Sequence, residues 1–172
     1  GRYIALDLGG TNFRVMSVTL GGHGRLTRTR VMKFILGREE ISSTGKELFR
    51  FLALSVKRFV RHERICRGEK VDLGFTFSFP VRQTGLAHGT LISWTKGFSA
   101  AGVEGRDVVS LLTGALKEEG LDNISVAALV NDTVGTLVAG SYRDRECDAG
   151  VIIGTGTNAC YVEKLRSIKK LG

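Results

Sequence analysis

Apolar and polar positions switch between period two and period 3.6 along this chain. Residues 3–8 and 13–20 are apolar or β-branched and flank Gly9–Asn12, which predicts a hairpin around GGTN. A second glycine turn, GGHG at 21–24, leads to a third strand near 29–36, completing an antiparallel meander. Over 45–62, Leu48, Leu52, Val56 and Phe59 fall on one stripe, with Lys57, Arg58 and Arg61 off it, which predicts an amphipathic helix. In VDLGFTFSFP, Val71, Leu73, Phe75, Phe77 and Phe79 alternate with smaller or polar residues, as in a half-buried strand, and Pro80 ends it. Residues 81–98 carry Gly85 and Gly89 and then LISWTKGF, a loop-rich stretch with a short strand or two. A helix over 105–119 buries Val108, Leu112, Ala115 and Leu116 and stops at Gly120. ISVAALVND reads as a buried strand ending at Asn131-Asp132, with a helix from about 133 to 141. VIIGTGTNACYVEK is a strand, a glycine turn and a strand, and the basic LRSIKKLG follows without a capping element.

This order predicts an α/β chain whose mixed sheet begins as an antiparallel meander and is flanked by helices. The 172 residues suit about one domain, without a linker or long repeat. No apolar run nears the ~18 residues of a membrane span, and no charged-then-apolar leader precedes the first strand. A cytoplasmic protein is expected, with any segment upstream of Gly1 left open.

The net charge of +8 is local: residues 23–70 hold 13 Lys/Arg against 5 Asp/Glu, the remainder 12 against 12. That excess fits a patch for phosphate, acidic lipid or nucleic acid, but better a solvated helix face and loop. The segment lacks aromatic interleaving, and no nucleic-acid partner is expected. Three scattered cysteines without a C-x-x-C argue against a disulfide framework or zinc site and fit a reducing compartment.

Three polar clusters sit at strand ends. In Asp7-Leu8-Gly9-Gly10-Thr11-Asn12, glycines let backbone N–H groups converge on an anion and Thr11 adds a hydroxyl. Asp7 repels phosphate but suits Mg²⁺ or its waters. A plain glycine hairpin turn, with Arg14 in a structural ion pair, is the alternative. Gly154-Thr155-Gly156-Thr157-Asn158 repeats the chemistry without the acid, and the two turns together suit a polyphosphate. Asn131-Asp132-Thr133 ends a strand and opens a helix, so Asp132 is either an N-cap or a general base facing a cleft. Ser78, Thr95 and Lys96 supply the hydroxyl and ammonium groups that recognise a polyol. Trp94 and Phe98 read as packing or as a sugar-stacking pair. No P-loop, G-x-G-x-x-G after the first strand, G-x-S-x-G or H-E-x-x-H occurs.

Five segments in order, LDLGGTNFRV (6–15), GFTFSFP (74–80), SWTKGF (93–98), LVNDTVGT (129–136) and IGTGTNACY (153–161), resemble the hexokinase family of the actin/RNase H-like superfamily. The wording around 78–84 is most similar to plant-type hexokinases. The resemblance implies an RNase H-like (actin-like ATPase) fold and transfer of a phosphoryl group from ATP to a hexose 6-hydroxyl. The hexose expected is glucose, with fructose or mannose as alternatives. ATP phosphates are implied at Gly9, Gly10, Thr11 and Asn12 and at Gly154, Thr155 and Gly156, with Asp7 near Mg²⁺ through water. Hexose contacts are implied for Ser78, Thr95, Lys96, Asn131, Asp132 and Asn158, with Asp132 as the base. Residues 1–131 then read as the family's small lobe and 132–172 as the opening of an unfinished large lobe. The two further glutamates and the adenosine pocket of the family belong to sequence beyond residue 172. A truncated or hexokinase-like sugar-binding regulator is the alternative function.

Overall fold

The computed structural model describes residues 1–10, 12–66, 68–153 and 157–169. The meander forms as expected: β1 (Arg2–Leu8), β2 (Asn12–Gly22) and β3 (Arg25–Ile35) pair antiparallel in turn. β2 and β3 run further than the apolar pattern suggests. His23 and Gly24, with φ of 51° and 75°, make a two-residue turn with both central residues at positive φ. That geometry matches strand twist and keeps both strands paired to the tip.

β4 (Val71–Phe77) lies parallel to β1, and β7 (Ile124–Val130) parallel to β4, giving the sheet order β3-β2-β1-β4-β7. Helix α2 (Gly45–His62) joins the meander to β4, and α3 (Val108–Glu118) precedes β7. A short α1 (Arg38–Ile41), absent from the periodicity, precedes α2. α3 starts at Val108 because the Asp107 carboxylate accepts from Ser110 N at 2.7 Å and caps it there. Arg50 and Lys57, part of the basic excess, both reach Glu119 at 3.1 Å.

Alternation divides the sheet into two faces. Ile4, Leu6, Leu8, Phe13, Val15, Leu73 and Phe75 point to the side covered by α2 and α3, where they are buried with Leu48, Leu52, Val56 and Leu112. The intervening residues, among them Asp7, Arg14, Met16 and Thr76, point the other way. The loop-rich stretch contains a hairpin, β5 (Val81–Gly85) and β6 (His88–Leu91). It covers the edge of β7: Gln83 Nε2 donates to the Leu129 carbonyl and Leu129 N to that of Leu86, both at 2.8 Å.

On the second face stands α4 (Asp132–Arg143), packed against a hairpin of β8 (Ala149–Ile153) and β9 (Thr157–Tyr161). A Cβ at Gly150 would lie 3.0 Å from both Leu137 N and Thr133 O, so only glycine lets the hairpin approach this closely. The basic tail holds one 3₁₀ turn, Leu165–Ser167. Among the described residues no helix is long and apolar enough to cross a membrane.

Candidate active site

The second face of the sheet and α4 enclose a cleft of about 700 Å³. The sheet wall carries Asp7, Gly9, Gly10, Asn12, Arg14, Thr76 and Ser78, and the opposite wall Asp132, Gly135, Thr136, Ala139 and Ile152. Two of the three polar clusters therefore meet, although 120 residues separate them in sequence. Helical spacing turns Asp132, Gly135, Thr136 and Ala139 to one side of α4.

Asp7 is the penultimate residue of β1, opposite Arg14 on β2 and beside Thr76 on β4. Burial pushes its carboxyl above the ordinary value of 3.8; Arg14 opposes this, Asp132 adds to it, and Lys96 opposes it. The interaction identifies Asp7 and Asp132 as neighbouring charges across the cleft.

The N-cap of α4 is Asn131, not Asp132. Asn131 Oδ1 accepts from Thr133 N at 3.0 Å, which overturns the capping reading of Asp132. Asp132 is the first helical residue, and its Oδ1 accepts from Thr133 N at 2.8 Å. Asn131 and Asp132 therefore share the Thr133 N–H, and the Asp132 carboxylate also lines the cleft.

Ser78 follows β4, and its N donates to the Leu8 carbonyl at 3.0 Å. Its Oγ is buried and has no hydrogen-bond partner among the described residues. It lies beneath the glycine turn, 3.5 Å from where a Gly9 Cβ would stand. A buried hydroxyl without a partner costs about 1–3 kcal/mol, which a ligand at the turn would offset.

Lys96 Nζ donates to the carbonyls of Gly9 and Ser78, each at 2.9 Å, and stands 5.5 Å above the Phe79 ring. It stitches the glycine turn to the end of β4 and keeps one of its three N–H donors for a ligand. Trp94 stacks on Phe98 with centroids 5.3 Å apart, meets Phe79 edge-on, and donates from Nε1 to the Ala100 carbonyl. These contacts are packing.

Thr95 and Asn158 are not among the residues that line the cleft. Thr95 is exposed in the turn before Phe98. Asn158 is exposed on β9, opposite Ile152, with its Oδ1 accepting from Ala159 N at 3.0 Å. Thr11, Gly154, Thr155 and Gly156 lie outside the described residues. Thr76 and Thr136 were missed. The signals were the off-core positions of VDLGFTFSF for Thr76 and the i+4 spacing from Asp132 for Thr136.

Among the described residues no group of three or more His, Cys, Asp or Glu is placed to hold a metal. Two carboxylates beside a partnerless hydroxyl suit Mg²⁺ nonetheless, since that ion keeps several waters and takes one or two carboxylates plus substrate phosphates.

A family model described as Hexokinase matches residues 1–142, and a second of the same description matches 148–172. Hexokinase-2 of Oryza sativa subsp. japonica is 50% identical over 99% of this chain and 35% of its own length. Hexokinase of Schistosoma mansoni is 48% identical over 95% of this chain and 36% of its own. The chain thus spans about a third of the length of these relatives. A solved structure of the Schistosoma mansoni hexokinase complexed with glucose superposes with a TM-score of 0.91 at 45% identity, covering 99% of this chain and 38% of that one. A ROK family glucokinase from Streptomyces griseus shares the fold, with a TM-score of 0.50 at 16% identity over 92% of this chain and 43% of its own.

Proposed function

Because the chain belongs to the hexokinase family, we propose that it forms the small lobe and the first elements of the large lobe of an enzyme that phosphorylates a hexose at its 6-hydroxyl. Its α/β architecture, a mixed sheet opened by an antiparallel meander, is the RNase H-like, actin-type fold. Residues 1–131 make the small lobe and 132–172 open the large one. The phosphoryl donor is ATP and the hexose is glucose, with fructose and mannose as alternatives. The glucose in the Schistosoma mansoni structure supports that choice. The enzyme works in the cytoplasm.

One observation carries the reading: Asp132, the first residue of α4, lines the same cleft as Asp7. Phosphoryl transfer needs in-line positioning, charge compensation and a base at the attacking hydroxyl. Asp132 accepts the proton of the 6-hydroxyl. That oxygen bonds to the γ-phosphorus as the bond from the γ-phosphorus to the β,γ-bridging oxygen of the leaving ADP breaks. Backbone N–H groups of the Gly9–Asn12 turn donate to the phosphate oxygens, and phosphate binding by Thr11, Gly154, Thr155 and Gly156, which lie outside the described residues, is part of the same proposal. Asp7 would hold Mg²⁺ through water, and the ion would offset phosphate charge. Ser78, Thr95, Lys96, Asn131 and Asn158 orient the sugar, and closure of the lobes excludes water.

The test is Asp132→Asn in a full-length hexokinase carrying this segment. Turnover is expected to fall about 10²- to 10⁴-fold, the usual worth of a general base, while calorimetry still detects glucose binding. Near-parental turnover removes Asp132 from this role. Glucose binding by the parent without any glucose 6-phosphate formed would favour the regulatory reading.

A further inference from the structure

Arg14 and Lys33 stand directly opposite each other across β2 and β3. Opposed residues of an antiparallel pair project to one face, and Arg14 lines the cleft, so Lys33 belongs to the cleft face as well. The same row holds Asp7 opposite Arg14, and Thr76 beside Asp7. Four neighbouring strands therefore carry an ammonium, a guanidinium, a carboxylate and a hydroxyl in line. With strands about 4.8 Å apart, Lys33 is one strand beyond Arg14 and roughly 10 Å from Asp7.

This row breaks a rule of sheet pairing. Like charges opposed across two strands cost stability. Arg14 has Asp7 on its other side. Lys33 is in no ion pair among the described residues. Its same-face neighbours on β3 are Val31 and Ile35, both exposed and apolar, so nothing on its own strand compensates it. A local violation beside a cleft is where a ligand is expected to supply the missing partner.

We propose that Lys33 binds phosphate, forming with Arg14 a cationic station at the outer rim of the cleft. The inference rests on the phosphoryl-transfer reading and extends it. The glycine turn receives the reacting phosphate, and Arg14 with Lys33 holds a neighbouring phosphate one strand further out. A guanidinium grips phosphate through two parallel N–H bonds, and an ammonium adds a point charge. The phosphate belongs either to the donor nucleotide or to a sugar phosphate, and the binding chemistry is common to both.

The test titrates a full-length hexokinase carrying this segment, its Lys33→Met variant and its Lys33→Arg variant with sodium tripolyphosphate, ATP and glucose 6-phosphate by calorimetry. Lys33→Met is expected to weaken tripolyphosphate about three- to fivefold, the reach of one exposed ion pair, and Lys33→Arg to restore it. The Tm of Lys33→Met is expected to equal or exceed the parent's, because the like-charge opposition is gone; loss of affinity is then not loss of fold. A parallel loss for ATP assigns the station to the donor, and one for glucose 6-phosphate assigns it to the product. Equal tripolyphosphate affinity in parent and Lys33→Met overturns the role of Lys33 and leaves the glycine turn standing. Absence of tripolyphosphate binding by the parent overturns both.

Discussion

Lys96→Met removes an ammonium that donates to the carbonyls of Gly9 and Ser78 at 2.9 Å each. A hydrogen bond from a charged group contributes about 1.5–3 kcal/mol when shielded. Lys96 is exposed, and solvent screening reduces each bond to about 0.5–1 kcal/mol, so the pair holds about 1–2 kcal/mol. Lys96 also sits at φ of 56°, in the left-handed region, which costs a side-chain-bearing residue about 1–2 kcal/mol. Methionine keeps that cost and loses the bonds. Glycine loses the bonds but relieves the strain; its greater freedom in the unfolded chain takes back about 0.4–1 kcal/mol. At about 2–4 °C per kcal/mol for a chain of this size, Lys96→Met lowers Tm by about 2–8 °C, and Lys96→Gly by less. Thermal unfolding followed by circular dichroism reads the order. Amide exchange at Gly9 and Gly10 reads the local effect, with faster exchange expected in both variants. Parental Tm and parental exchange in Lys96→Met would refute the idea that this ammonium holds the turn.

Asp7→Asn is expected to raise Tm at pH 7 in metal-free buffer. Burial, reinforced by Asp132, holds the Asp7 carboxyl above 3.8, so the charged form costs stability. That cost fades as pH falls through the folded value and is gone below about 3.8, where parent and variant should converge; a variant less stable at pH 7 refutes the assignment. Asn131→Ala should cost about 1 kcal/mol as an N-cap loss, read as a Tm drop of a few degrees, whereas Asn131→Asp should keep most of the stability. An alanine variant as stable as the parent would show that Asn131 is not the effective cap.

The parts of the fold that were legible depend on neighbours in sequence. Helix α2 begins at Gly45 because Thr44 accepts from Glu47 N at 3.3 Å and Glu47 from Thr44 N at 2.9 Å, a reciprocal cap written in four consecutive residues. The core faces of β1 and β4 follow from period two alone. The order β3-β2-β1-β4-β7 does not, because parallel pairing is fixed by helices packing far along the chain. Asn131 and Asp132 are both good capping residues, and only where β7 ends decides between them. The Gly9–Gly10 turn was legible as a candidate anion site from its glycines. Thr76 and Lys33 were not, because only the register of β4 on β1 and of β3 on β2 places them in the row with Asp7 and Arg14.

Four local costs of this structure gather around one cleft. Asp7 is a carboxylate held partly out of water beside a second carboxylate. Ser78 Oγ is buried without a partner among the described residues. Lys96 occupies a left-handed backbone conformation. Arg14 and Lys33 oppose like charges. Away from the cleft most of the rules are kept, His23 and Arg64 at positive φ being exceptions: α2 and α3 have capped starts, the edge of β7 is covered, and the large apolar side chains of the sheet meet α2 and α3. A chain selected for stability alone would remove each of these costs by a single substitution, such as Asp7→Asn or Lys33→Met. Their persistence around one cleft is a physical argument for a phosphate and metal site there, and it stands without reference to any relative. It also links the predictions: the substitutions that abolish charge at Asp7 and Lys33 should stabilise the fold while weakening what the cleft binds. Lys96→Met, which breaks a bond the fold itself uses, should weaken both.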